Sequence, residues 1–211
     1  MKQQTDVTVI LDRSGSMGAI KPDVIGGFNQ FLATQRQEPG DCVLTLVQFD
    51  DRYEVVYEGR AVAEAPELTE HTFEPRGRTA LLDAIGRTVT ELGARLSARP
   101  ESERPDKVLV VIVTDGQENA STTYGRERVF DMITTQRDVY NWTFLFLAAN
   151  QDAIAAGESV GIGAQYSLNW AASSEGAYAA SLAMSDAVVA YRLTGDARIK
   201  AATTKEGKDA H

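Results

Sequence analysis

The amino-acid sequence predicts an α/β domain: a single doubly wound, mostly parallel sheet with one antiparallel edge strand and helices on both faces. Two observations carry this expectation. Strand-like and helix-like segments alternate from one end of the chain to the other, which implies parallel strands joined by right-handed crossovers. Lys107 to Thr114, KVLVVIVT, is a near-continuous apolar run, the mark of a strand covered on both faces. No internal repeat, low-complexity tract or linker divides the chain. Residues 1–194 read as one domain, and the polar stretch 195–211 as a disordered C-terminal tail.

In chain order, Thr5 to Leu11 is β-branched and apolar and reads as a buried strand. Lys21 to Arg36 reads as a helix, with Pro22 in its first turn and Val24, Phe28, Phe31 and Leu32 as its apolar stripe. Gly26-Gly27 lowers its helix propensity, a sign of close packing. After the turn Pro39-Gly40-Asp41 comes the strand Cys42 to Phe49. Asp50-Asp51-Arg52 turns the chain into Tyr53 to Tyr57, the expected antiparallel edge strand. Residues 58–78 have weak periodicity and read as a connector. Thr79 to Ala98 repeats Leu82, Ile85, Val89, Leu92 and Leu96 at threes and fours and is the clearest helix. The strand Lys107 to Thr114, the helix Arg126 to Arg137 and the strand Trp142 to Ala148 follow. Asn150 is expected to cap a short helix, with Asp152 in its first turn and Gly157 just past its end. Ala164 to Leu168 reads as the last strand. Ser173 to Arg192 reads as an alanine-rich helix with Tyr178, Leu182, Ser185 and Val189 on one face.

Composition narrows the function classes. At 211 residues and 43% hydrophobic, the chain can bury roughly 70% of its unfolded surface without covalent staples. Cys42 is the lone cysteine, which argues against a disulfide scaffold and fits a reducing compartment. No apolar run reaches the ~20 residues of a membrane span, and the N-terminal apolar run is too short for a signal-peptide core. A cytoplasmic location is the expectation. The net charge of −9, with no block of consecutive Lys or Arg, disfavours nucleic acid and anionic membrane surfaces as partners. It is compatible with a metal cation.

Ligands of such sheets bind outside the carboxyl ends of the strands. Two buried-looking strands end there in aspartate, Asp12 and Asp115, each followed by glycine-containing loops. Asp12-Arg13-Ser14-Gly15-Ser16 places three oxygen-bearing side chains at alternate positions, which point the same way in an extended segment. Hydroxyls and carboxylates suit a hard cation such as Mg²⁺. Thr79, opening the strongest helix, is a further candidate. Each residue alone also has a plainer reading. Either aspartate can hydrogen-bond its own loop, Ser16 and Thr79 can cap helices, Ser14 can be a solvated loop serine, and Asp83 can brace a loop.

Taken together, Asp12-Arg13-Ser14-Gly15-Ser16, Thr79 within Gly-Arg-Thr-Ala-Leu-Leu-Asp-Ala, and Asp115 within Val-Thr-Asp-Gly resemble a von Willebrand factor type A domain with a complete metal-ion-dependent adhesion site. The resemblance spans residues 5–192, including the order of strands and helices, and implies the family's Rossmann-like fold. It implies that Ser14, Ser16 and Thr79 contact a Mg²⁺ or Mn²⁺ ion directly, while Asp12 and Asp115 act mainly through waters. Neutral hydroxyls would leave the ion enough charge to take a carboxylate from a partner protein. Arg76 and Arg78, around Gly77, depart from the small residues usual before that threonine and would favour an acidic ligand at a partner-binding rim. Asp50 and Glu118 would offset their charge if they line the same rim. Cytoplasmic prokaryotic members of the family work beside ATPases or in stress-system and mobile-element gene clusters, so the resemblance adds those partner classes.

The reading is therefore a divalent-metal-dependent protein-binding module that captures an Asp or Glu of its partner, not an enzyme. The alternative is a Mg²⁺-dependent hydrolase or phosphatase with an unrecognised base. A serine nucleophile needs a base, and only His71 in the connector and His211 at the last position are histidines. The loop after Asp12 lacks the nucleophile-elbow pattern G-x-S-x-G, since Ser14 stands where Ser16 would need a glycine, and the D-x-D pair and the P-loop are absent.

Overall fold

A computed structural model describes residues 4–199. Six strands form one sheet: β1 (Gln4–Asp12), β2 (Asp41–Phe49), β3 (Tyr53–Ala61), β4 (Lys107–Thr114), β5 (Thr143–Ala149) and β6 (Ser167–Trp170). Their order is β3-β2-β1-β4-β5-β6, and every pairing is parallel except β2 with β3. This is the expected doubly wound sheet with one antiparallel edge strand. The edge strand is longer than expected, continuing through residues 58–61 of the supposed connector.

Five helices cover the faces: α1 (Lys21–Gln37), α2 (Leu81–Ser97), α3 (Arg126–Tyr140), α4 (Ala153–Glu158) and α5 (Ser174–Thr194). Odd-numbered β1 residues Val7, Val9 and Leu11 join Phe28 and Phe31 of α1 and Met184 and Val188 of α5 in one core. Ile10, on the opposite face, joins Ile85 and Val89 of α2 and Val129 and Ile133 of α3 in the other. The two-residue period of the strand thus feeds two separate cores. Val24, Phe28, Phe31 and Leu32 of α1 are all buried, as are Leu82, Ile85, Val89, Leu92 and Leu96 of α2.

Three expectations need correction. Asp152, not Asn150, caps α4: its side chain accepts the amides of Ile154 and Ala155, and Gly157 lies inside the helix, close to Ser167. Asn150 instead takes a left-handed conformation with φ of 55°. The expected stripe of α5 divides: Ser185 is buried and Val189 half-buried, but Tyr178 and Leu182 face outward. Tyr178 and Leu182 are 57% and 40% exposed, while Ala177, Ala180, Met184, Ala187, Val188 and Tyr191 are buried. Alanines at 177, 180 and 187 let α5 lie close to α1 and the sheet, while Met184, Val188 and Tyr191 fill the remaining space. The last strand is Ser167–Trp170, with a 3-10 turn at Ala164–Tyr166 before it.

The chain also keeps packing beyond α5. Ala197 is buried, and the Ile199 amide donates to the Gln165 carbonyl at 3.0 Å. The rest of the expected tail, residues 200–211, lies outside the described residues. No helix among the described residues is long and apolar enough to cross a membrane.

Candidate functional site

The strand order reverses at β1 and β4, and the chain leaves their carboxyl ends through two loops that face a common crevice. The expected residues meet there. Asp12, the last residue of β1, is fully buried. Its Oδ1 accepts the Ser14 amide at 2.6 Å, and its Oδ2 accepts the Thr114 hydroxyl at 2.6 Å. Ser14 Oγ and Ser16 Oγ lie 3.2 Å apart, and Ser16 Oγ donates to Asp115 Oδ1 at 2.7 Å. Thr79 reaches the same place from a third segment: a Cβ built on Gly116 would lie 3.4 Å from Thr79 Oγ1 and 3.8 Å from Ser16 Oγ. Glycine after Asp115 therefore leaves the crevice open.

The plainer single-residue readings do not describe these positions. Ser14 is buried, not solvated. Ser16 lies in a 3-10 turn, Gly15–Ile20, and α1 begins later at Lys21 with Ile20 at its cap position. Thr79 does not cap α2, whose cap position is Ala80. Thr79 is held instead by Asn119, whose Oδ1 accepts the Thr79 amide at 3.0 Å and whose amide donates to the Thr79 carbonyl at 3.0 Å. Asp83 braces a loop, accepting the amides of Thr122, Thr123 and Tyr124.

The rim residues divide. Asp50 is fully buried and does not line a rim. Burial becomes tolerable because it is ion-paired with Arg13 and Arg76. Glu118 is also an anchor: its carboxylate accepts the amides of Leu82, Ala120 and Ser121 and the Ser121 hydroxyl. Arg76 is tied to Asp50, with 43% of its side chain exposed. Arg78 is exposed and belongs to no ion pair among the described residues.

Several supporting residues were not foreseen in these roles. Asn119, within the second loop, holds Thr79, and Asn150 and Gln151 hold that loop from beyond β5. Asn150 Nδ2 donates to the Asp115 carbonyl and Gln151 Nε2 to that of Gly116. Arg13 was legible in principle. The alternation that gathers Asp12, Ser14 and Ser16 must send Arg13 the other way, into the protein.

The electrostatics are unusual. Burial pushes the Asp12 carboxyl up to about 6, only partly opposed by hydrogen bonds from Thr114 and Ser14, and the charge of Asp115 pushes it further up. Burial likewise raises Asp115. Neither carboxylate has an ion pair among the described residues, so two like charges converge without a cation. The remaining donors are hydroxyls. No group of three or more His, Cys, Asp or Glu among the described residues forms a conventional metal cluster. An all-oxygen set of two carboxylates and three hydroxyls fits a hard divalent cation and not a soft one.

No family model and no curated protein matches the sequence. Solved structures do. Proximal thread matrix protein 1 of the mussel byssus superposes with a TM-score of 0.57 and 16% identity, over 90% of this chain and 46% of that one. A second crystal of it has a zinc-occupied metal-ion-dependent adhesion site motif. A von Willebrand factor type A protein from Catenulispora acidiphila gives a TM-score of 0.55 and 14% identity, over 89% of this chain and 43% of its own. Manganese-loaded TRAP protein from Plasmodium vivax gives 0.51 and 15%, over 85% and 72%. The chain thus spans less than half the length of the mussel and Catenulispora proteins. With one antiparallel edge on an otherwise parallel six-stranded sheet, and helices on both faces, this chain has the von Willebrand factor type A fold.

Proposed function

We propose that the crevice binds a divalent cation, Mg²⁺ or Mn²⁺, and through it a carboxylate of a partner protein. The observation that carries this reading is the convergence of Asp12, Ser14, Ser16, Thr79 and Asp115 from three separate segments, with two buried carboxylates that have no ion pair among the described residues. Zinc and manganese in structures of the same fold support it. Ser14, Ser16 and Thr79 would hold the ion by their hydroxyls, and Asp12 and Asp115 would supply the negative charge. The ion would provide a Lewis-acidic position for an incoming Asp or Glu. Ser16 is exposed, so a partner can approach from that side. The unpaired Arg78 adds positive charge beside the opening and favours a partner whose carboxylate is surrounded by further acidic residues. The net charge of −9 opposes such a partner at long range, so attraction is local and screened over about 8 Å at physiological salt.

The reading is binding and not turnover: Asp12 and Asp115 would be taken up in holding the ion, and among the described residues no histidine stands at the crevice to act as a separate base. His71 is an exposed residue of the 62–80 segment. Thr114 and Asn119 orient the site through hydrogen bonds and carry no proton-transfer chemistry. The lone buried Cys42 fits a reducing, cytoplasmic setting, where an ATPase or stress-system protein is the partner class the resemblance favours.

Titration calorimetry with Mn²⁺ and Mg²⁺ tests the site, and capture from native lysate with and without EDTA tests the bridge. The expected result is one ion per chain and release of the partner by EDTA. Absence of binding at millimolar metal would remove the site assignment. A complex indifferent to EDTA would remove the bridge.

A further inference from the structure

Asp50 has no exposed surface, yet three segments meet at it. Its Oδ2 accepts Arg13 Nε at 3.1 Å and Arg76 Nε at 2.9 Å, and its Oδ1 accepts the Arg52 amide at 2.6 Å. Its carbonyl accepts the Ala80 amide at 3.0 Å. Arg13 stands in sequence between Asp12 and Ser14 but points away from the crevice. It is buried and also reaches Gln48 at 3.3 Å and Glu54 at 2.8 Å. Arg76 and Ala80 bracket the segment that carries Thr79. Two backbone bonds run alongside: the Arg76 amide to the Arg13 carbonyl at 2.8 Å, and the Gly15 amide to the Gly77 carbonyl at 3.2 Å. Gly77 sits at φ of 67°, where a Cβ would overlap the Asp51 carboxylate. The threonine segment therefore lies flat against both the serine loop and the β2–β3 turn.

We propose that Asp50 is a positioning residue for the site: its one carboxylate ties the loop bearing Ser14 and Ser16 to the segment bearing Thr79 and fixes the spacing of their hydroxyls. Hydroxyls from different segments make a usable site only when their supporting groups hold them within roughly half an ångström. Two backbone bonds near an open crevice are a weak brace. A buried carboxylate shared by two guanidiniums is a stiff one, because its charge-assisted bonds are short and directional. The same carboxylate also offsets part of the positive charge of Arg13 and Arg76. The proposal rests on the metal-binding reading above.

Two measurements test it. The first needs no metal: amide hydrogen exchange in wild type and Asp50→Asn. Exchange at Gly15 and Arg76 should accelerate at least tenfold, while Val111 in the middle of β4 keeps its rate. The second is a double-mutant cycle on Mn²⁺ affinity with Asp50→Asn and Thr79→Ala. Each single variant should lose about tenfold or more. The double variant should be within twofold of Asp50→Asn, because an untethered Thr79 has little left to lose. If Asp50→Asn does not fold cooperatively, Arg76→Gln, at a half-exposed side chain, replaces it in both experiments. Unchanged exchange at both amides, or additive losses in the cycle, would overturn the clamp. Wild type that binds no Mn²⁺ overturns the metal reading instead, and the exchange rates still decide whether Asp50 braces the two segments.

Discussion

Thr79 is where the local chemistry can be read most cleanly. It lies outside α2 and caps nothing, so Thr79→Ala should leave the metal-free melting temperature nearly unchanged. The same change should weaken Mn²⁺ binding about tenfold or more, and Thr79→Ser should restore it. Calorimetry on the three proteins checks this, and equal binding by the Ser and Ala variants would exclude a hydroxyl ligand. Asp12 makes a pH prediction. Its folded value, about 6, lies above its ordinary 3.8, so protonation stabilises the metal-free fold. That contribution is fully present below the ordinary value and is lost as the pH rises through about 6. The loss is on the order of 3 kcal/mol at neutral pH. Metal-free wild type should therefore gain melting temperature relative to Asp12→Asn as the pH falls from 7 to 5. Mn²⁺ stabilisation should shrink over the same interval, because protons compete for the carboxylate. Parallel pH profiles for the two proteins would show that Asp12 is not the titrating group.

At the scale of elements, α1 and α5 show how closely the fold packs its helices. Gly27 of α1 abuts Ser181 of α5 so tightly that a Cβ would overlap the serine hydroxyl, whereas Gly26 has nothing within 4 Å. The two neighbouring glycines thus have opposite roles. Gly26→Ala should stabilise by about 1 kcal/mol through helix propensity, raising the melting temperature by about 2–4 °C. Gly27→Ala should destabilise by about 1–3 kcal/mol through overpacking. Thermal denaturation of both checks it, and two shifts of the same sign would refute the packing argument. The same helix pair is pinned at its end by buried Arg192, which donates to the carbonyls of Gln35, Glu38, Pro39 and Gly40. One guanidinium there satisfies acceptors that the C-terminus of α1 leaves open. Across the sheet, Asp83, Glu118 and Asn119 clasp the second loop to the start of α2. The candidate site is therefore suspended between rigid elements and not carried by free loops.

For the whole molecule, two cores on either face of a six-stranded sheet supply the stability, and the crevice at the sheet's switch point is a small addition to it. The protein should remain cooperatively folded in EDTA. Mn²⁺ at a hundred times its dissociation constant should stabilise it by about 2.7 kcal/mol, because the ion binds only the folded state. For a domain of this size that is a rise of roughly 5–11 °C. A thermal scan with and without EDTA decides the matter. Unfolding on chelation would make the ion structural and contradict the sufficiency of the cores.

The sequence by itself determined the sheet, its edge strand and the residues of the crevice. Strand periodicity, apolar runs ending in aspartate and the alternate spacing of Asp12, Ser14 and Ser16 are all local properties of the chain. Only the tertiary structure decided what surrounds them. Whether Asp50 lies on a rim or at the centre of a buried ion pair depends on Arg13 and Arg76, which are 37 and 26 residues away in sequence. What holds Thr79 in place is Asn119, 40 residues on. The inner face of α5 could not be read from the larger apolar residues alone, because alanines at 177, 180 and 187 face the core while Tyr178 and Leu182 do not. Local pattern specifies which backbone a segment adopts. The partner of a polar side chain is set by the distances that folding closes.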